Sequence, residues 1–310
     1  MKIAALQCSS GLNLGNDFIN SGGRYLIKQL FKDSEIEYFE FFDSCLPHWN
    51  SGHLLTESSI DYISNKADLV VLFSGSAASP TLYKSVFKKL NTLDVPFILL
   101  GIGCGGRYDD SEKKVINDIN NLSNCKNIIT RDHLTYSFID DQTKCYSGLD
   151  LGFFAGDNYN VRNENSSKEY AVINYEPDGE CDIDRSMELK KQAEKFYDHV
   201  YIVENSVQIK SRDIEDYLQI GCAEQLWNLY SNASHVITSR VHSCVCCVSN
   251  GVDFTYVGPH DYGGKTGRNT LFNQIGMTLN YEEEYIGKDQ QKLLKLKKKN
   301  YINQLRDFLL

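Results

Sequence analysis

The chain has 310 residues, 42% hydrophobic and 24% charged, ordinary values for a globular protein with room for about two domains. Its net charge of −9 excludes a long nucleic-acid track, because binding phosphates in series needs a basic face. No apolar run approaches the ~18 residues of a membrane span.

The first residues, MKIAALQCSS, lack the pattern of a signal peptide. The ten cysteines are scattered, several inside apolar stretches such as Val245-Cys246-Cys247-Val248. Reduced thiols in a cytoplasmic protein are therefore expected rather than a disulfide framework. Cys244, Cys246 and Cys247 lack the C-x2-C pairing of a zinc site, and no metal is expected.

In chain order, Ile3 to Leu6 reads as a strand and Asp17 to Phe31 as a helix. Strands follow at Ile36 to Phe42 and Ala67 to Phe73, then a helix from Thr81 to Leu93. The next pairs are a strand at Phe97 to Ile102 with a helix from Ser111, and a strand at Asn127 to Thr130 with a helix from His133 to Ile139. Such alternation predicts a parallel sheet covered on both faces.

Residues 156 to 170, GDNYNVRNENSSKEY, are polar and Asn-rich and read as a linker, which sets the expected domains at 1–157 and 158–310. The alternation then restarts with strands at Ala171 to Tyr175 and Val200 to Val203 and helices near Met187 to Tyr197 and Ala223 to Tyr230. The expected fold is α/β, two Rossmann-like domains facing a cleft. The last segment, KLLKLKKKNYINQLRDFLL, is a basic amphipathic helix. Packing back across the domains is the favoured reading, and contact with an anionic membrane surface the alternative.

Two glycine motifs mislead. FILLGIGCGG contains G-x-G-x-x-G at Gly101, Gly103 and Gly106, but it follows the fourth strand and no helix starts from it, so the glycines are read as close backbone turns. GPHDYGGKT has one residue too many between Gly258 and Gly264 for a phosphate-binding P-loop, leaving Lys265 simply as a cation.

Chemistry collects at the strand ends. The loop SSGLNLGNDFINSGG after strand one holds Asn13, Asn16 and Asp17, with Asn16 or Asp17 the expected helix cap. Ser74 and Gly103 follow two further strands, and Arg131-Asp132 ends another. In HVITSRVHSCVCCVSNG, Arg240 and His242 stand where a strand gives way to a helix, a place where α/β folds hold anions. An arginine beside an imidazole there can hold a carboxylate or phosphate while the imidazole handles a proton.

Five blocks together resemble the polysaccharide pyruvyl transferase family: GLNLGNDFINSGG, ADLVVLFSGS, NIITRDHLTYSF with GLDLGFF, ASHVITSRVHSCVCCVSNGVDFTYV, and KTGRNTLFNQIGM. The resemblance implies a GT-B-like fold and transfer of the pyruvyl unit of phosphoenolpyruvate to two hydroxyls of a sugar as a ketal, with release of phosphate and no further cofactor. It matches Arg131, Arg240 and His242 to the phosphoenolpyruvate-binding residues, with the Val241 N–H and Lys265 beside them. His242 is then the candidate proton donor and Asp17 a candidate base. Asn13, Asn16, Ser74 and Gly103 belong to the acceptor side. Asp253 stands where the family commonly has proline, and the turn after ADLVVLF is only Ser-Gly-Ser. The partner implied is a sugar that is free, nucleotide-linked or lipid-linked. The rival readings are a nucleotide-sugar glycosyltransferase of the same architecture and a non-catalytic binding homologue.

Overall fold

Apolar runs alternating with helix-period segments build two six-stranded sheets in the computed structural model, which describes residues 1–8, 13–42, 56–73, 75, 83–104, 108–159, 170–175, 181–205, 216–258 and 268–309. The first sheet contains β1 (Lys2–Cys8), β2 (Glu35–Phe42), β3 (Leu69–Phe73), β4 (Phe97–Ile102), β5 (Cys125–Thr130) and β6 (Cys145–Ser147). All its pairings are parallel, in the order β2-β1-β3-β4-β5-β6. Its helices are α1 (Leu14–Leu30), α2 (Glu57–Lys66), α3 (Lys88–Leu90, entered through a π-turn at Tyr83–Phe87), α4 (Asp110–Asn120) and α5 (His133–Ser137). A 3-10 turn, Leu151–Phe154, then runs into α6 (Ala155–Tyr159). Every residue of β3 and β4 is buried, as a parallel strand with helices on both faces requires.

The second sheet contains β7 (Tyr170–Tyr175), β8 (His199–Glu204), β9 (Tyr217–Leu218), β10 (His235–Thr238), β11 (Asp253–Tyr256) and β12 (Glu283–Tyr285). Its order is β9-β8-β7-β10-β11-β12, parallel except for β12. Its helices are α7 (Ile183–Ala193), α8 (Ala223–Ser231), α9 (Val241–Asn250) and the terminal α10 (Gly287–Leu309), with a second 3-10 stretch at Arg268–Ile275. Strand order reverses between β1 and β3 and again between β7 and β10. Those two switch points are where open α/β sheets place ligands.

The strand ends meet across the molecule. Leu14 N, opening α1, donates to Asn205 O, just past β8, at 3.2 Å. An aromatic cluster fills the waist: Phe18 of α1 meets Trp227 of α8 edge-on at 4.9 Å, and Tyr159 of α6 lies 5.7 Å from the same indole. α10 returns to the first half, burying Leu294, Tyr301 and Leu305. Tyr301 stacks on Phe154 at 5.4 Å and its hydroxyl accepts from Leu149 N at 3.0 Å. Packing back across both halves is therefore what this helix does. No helix among the described residues is long and apolar enough to cross a membrane.

Two boundaries differ from expectation. α1 starts at Leu14, three residues early, because the Asn13 side chain, not Asn16 or Asp17, accepts from Gly15 N at 3.0 Å and caps it. The expected linker begins with helix: Gly156 to Tyr159 belong to α6, held by the Tyr159 contacts, and the break between 157 and 158 falls inside that helix. Gly251 ends α9 in the left-handed conformation, φ +73°, as the Asn-Gly pair suggests.

Trp227 is fully buried and touches residues of both halves. Trp227→Ala is expected to cost about 3–5 kcal/mol, read as a lower urea midpoint followed by circular dichroism.

Candidate active site

The turn from β10 into α9 is set by hydrogen bonds below it. Thr238 Oγ1 donates to Asn174 Oδ1 of β7 at 3.0 Å and accepts from Arg240 N at 3.0 Å. Arg240 is the N-cap of α9, with extended backbone (φ −97°, ψ 119°) and no side-chain cap bond. Its carbonyl accepts from Ser243 N and Cys244 N. The amides of Val241 and His242, in the first turn, have no intrahelical acceptors, and they carry the positive end of the helix dipole. Arg240 itself is half-buried beside them.

Opposite lies a buried charge. Arg131 follows β5 and is 1% exposed. Its guanidinium runs under two glycines, since a Cβ on Gly103 would sit 2.1 Å from Nε and one on Gly75 2.8 Å from Nη1. Nη2 donates to Cys104 O at 3.1 Å. Two fully buried carboxylates flank it: Asp132 Oδ2 is 3.8 Å from Nε and Asp150 Oδ2 is 3.9 Å from Nη1. Asp132 also accepts from Thr135 N at 2.7 Å, Thr135 Oγ1 at 2.9 Å and the Tyr108 hydroxyl at 3.4 Å. Burial pushes the Asp132 carboxyl above its usual range despite Arg131. The Tyr108 hydroxyl lies 3.1 Å from Thr270 Oγ1, in the second half.

His242 closes the chain of charges. Its Nε2 is 3.7 Å from Asp150 Oδ1, an ion-pair contact longer than a hydrogen bond. Its other face lies on α1, where a Cβ on Gly15 would come within 3.2 Å of Nδ1. Asp150 caps the 3-10 turn by accepting from Gly152 N at 2.8 Å. Burial raises the Asp150 pKa, but His242, Arg131 and the Gly152 N–H outweigh it and hold the carboxyl below its ordinary value. Among the described residues, neither His242 Nε2 nor Asp150 Oδ2 has a hydrogen-bond partner, although the His242 side chain is only 11% exposed. A nearly buried imidazole nitrogen left unsatisfied beside a carboxylate is suited to proton transfer with a ligand.

The structure thus brings Arg240, Val241, His242, Asn13 and Gly103 to the facing strand ends. Arg131 is there too, nearly enclosed between Asp132 and Asp150. The Arg131–Asp132 pair is buried as well. Asp17 stands two residues after Gly15, about 200° around α1 at 3.6 residues per turn. Its carbonyl accepts from the Tyr159 hydroxyl at 3.4 Å. Asn16 donates its N–H to Asn13 O in the first turn. Ser74, Lys265 and Gly106 lie outside the described residues. Gly101 has φ +71° and packs against Leu151, and Gly103 covers Arg131, so both glycines serve chain packing. Sequence reasoning missed Asp150, Tyr108, Thr270 and Asn174. For Asp150 the signal was the Asp-Leu-Gly step, a side-chain cap for a turn.

Fold and site define a GT-B-like α/β protein with its polar centre between two sheets. Solved structures share that fold: UDP-GlcNAc 2-epimerase from Neisseria meningitidis bound to UDP-GlcNAc is 10% identical over 99% of this chain and 93% of its own, with a TM-score of 0.56. The enzyme of the same name from Methanocaldococcus jannaschii is 10% identical over 96% and 99%, with a TM-score of 0.53. An S. aureus MnaA–UDP co-structure is 12% identical over 99% and 90%, with a TM-score of 0.55. No curated protein sequence matches the chain. Residues 13–261 match the polysaccharide pyruvyl transferase family, and the chain belongs to it.

Asp150→Asn leaves the Arg131 and His242 contacts without their shared carboxylate, and breaking a buried pair in this way costs about 3–5 kcal/mol. Because the folded pKa of Asp150 is depressed, its contribution is present above the unfolded value of about 3.9 and lost as pH falls through the folded one. The stability difference between wild type and Asp150→Asn, from urea midpoints at a series of pH values, is expected to be full near neutrality and to shrink below about pH 4.

Proposed function

We propose that the chain transfers the pyruvyl group of phosphoenolpyruvate to a sugar, forming a ketal and releasing phosphate. The observation that carries this reading is the unsatisfied Nε2 of His242, set beside Asp150 in the first turn of α9 and next to Arg240. Family membership supports the transfer of a pyruvyl group. Phosphoenolpyruvate carries a carboxylate and a phosphate, and the helix N-terminus with Arg240 supplies matching charge.

The chemistry needs a proton at the methylene carbon, which turns C2 into an oxocarbenium-like electrophile. One sugar hydroxyl adds to C2 and loses its proton, the C–O bond to phosphate breaks, and a second hydroxyl completes the ketal. His242 is the proton donor in this scheme. Asp150 stabilises the imidazolium and fixes the ring, and buried Arg131 holds Asp150 ionised. Arg131 is therefore a positioning residue and Arg240 the donor-facing arginine. The acceptor sugar occupies the side of Asn13 and Gly103.

His242→Ala is expected to lower turnover by about 10²- to 10⁴-fold, the usual range for a general acid, with donor binding reduced less. Steady-state phosphate release with a sugar acceptor measures it, and unchanged turnover would remove His242 from the mechanism. Calorimetric titration of phosphoenolpyruvate is expected to show saturable binding to the wild type and none to Arg240→Ala. Binding of UDP-sugars in its place would move the assignment to nucleotide-sugar chemistry.

A further inference from the structure

α10 joins the two halves with one face and leaves another uncovered. Leu296, opposite the buried Leu294, Tyr301 and Leu305, is 70% exposed, and Leu293, about 100° round the helix from Leu294, is 38% exposed. The helix carries six lysines and one arginine against two aspartates, in a chain whose net charge is −9. Lys288, Lys292, Lys295, Lys299 and Arg306 follow one another at helical spacings and form a stripe along one flank. At 1.5 Å per residue the stripe is roughly 27 Å long.

Three of these seven cations are uncommitted, while Lys295 donates to Gln291 Oε1 at 2.8 Å. Among the described residues, Lys288, Lys297 and Lys299 have no hydrogen-bond or ion-pair partner. Lys292 pairs with Asp289 at 3.0 Å, Lys298 pairs with Asp157, and Arg306 donates to Gln29 O at 2.9 Å. Beside the stripe lies an open groove of about 760 Å³ between α10, α1, α6 and the end of α9, with Tyr25, Phe154, Leu294, Leu296 and Ile302 among its lining.

We propose that this face docks on an anionic phospholipid bilayer. The lysine stripe meets the headgroup phosphates, while Leu296 and the apolar wall of the groove reach the acyl boundary. Charge complementarity selects this occupant: an acidic protein is repelled by an anionic surface everywhere except at a concentrated basic stripe, which therefore also sets its orientation. Exposed leucines and an apolar groove alongside the cations add the hydrophobic contribution that interfacial helices use. The protein would lie on the membrane and not cross it, because α10 keeps its packed face on the two halves.

Flotation of the full chain with vesicles of phosphatidylcholine, alone or mixed with phosphatidylglycerol, tests this without any activity assay. Binding is expected only with the anionic mixture, and weaker at high salt. The combined variant Lys292→Glu, Lys295→Glu, Lys299→Glu is expected to lower partitioning on the order of 100-fold or more, from about 1 kcal/mol per lysine. Leu296→Glu is expected to weaken it further with unchanged circular dichroism. Absence of binding to the anionic vesicles would overturn the proposal, as would equal binding to both compositions or binding that survives the triple variant. Capture of a soluble sulfated polysaccharide in place of vesicles would assign the stripe to a polyanion instead. None of these results bears on phosphoenolpyruvate binding, so the two readings fail separately.

Discussion

Everything at the centre of this molecule depends on Arg131 being charged and out of water. Removing a guanidinium from solvent costs several kcal/mol unless carboxylates and hydrogen bonds compensate. Here the compensation comes from Asp132, Asp150 and the Cys104 carbonyl. The glycines at 75 and 103 follow from the same constraint, because any side chain there would meet the guanidinium. Gly101, two residues before Gly103, is fixed instead by its positive φ and the Leu151 side chain.

The buried charge also organises the route to the second half. Asp150 looks two ways, toward Arg131 and toward His242, and it caps the turn that leads into α6. Asp132 looks toward Tyr108, whose hydroxyl meets Thr270. Two polar links therefore run out from one arginine across the waist, one through Asp150 to the start of α9 and one through Asp132 to the stretch after β11. The aromatic contacts of Trp227 and Tyr301 hold the halves close enough for these links to close. The imidazole of His242 therefore lies between this buried carboxylate and the start of α1.

Much of this was legible in the sequence, for identifiable reasons. The strand runs stood out because parallel strands covered on both faces are continuously apolar, as in LVVLF and FILLGI. Arg240 and His242 stood out because a strand, a polar step and a capped helix follow each other within a few residues. What stayed hidden depended on distance along the chain. Asp150 and His242 are 92 positions apart, and Tyr108 and Thr270 are 162 apart. No local pattern shows that such residues meet. The same limit misplaced the helix cap: three polar residues compete in NLGND, and Asn13 is the one whose position also lets Leu14 N reach Asn205 O.

Burial, finally, separates the two arginines that a motif treats alike. Both follow a strand end, but Arg131 lies beneath glycine backbone with two carboxylates, whereas Arg240 is half-buried at a helix start with no side-chain cap. A guanidinium flanked by two carboxylates has much of its charge compensated locally. A cation at a helix N-terminus adds to an existing positive potential instead. The two surroundings differ accordingly: one arginine is enclosed against Asp150, which in turn faces His242, and the other stands at the positive end of α9.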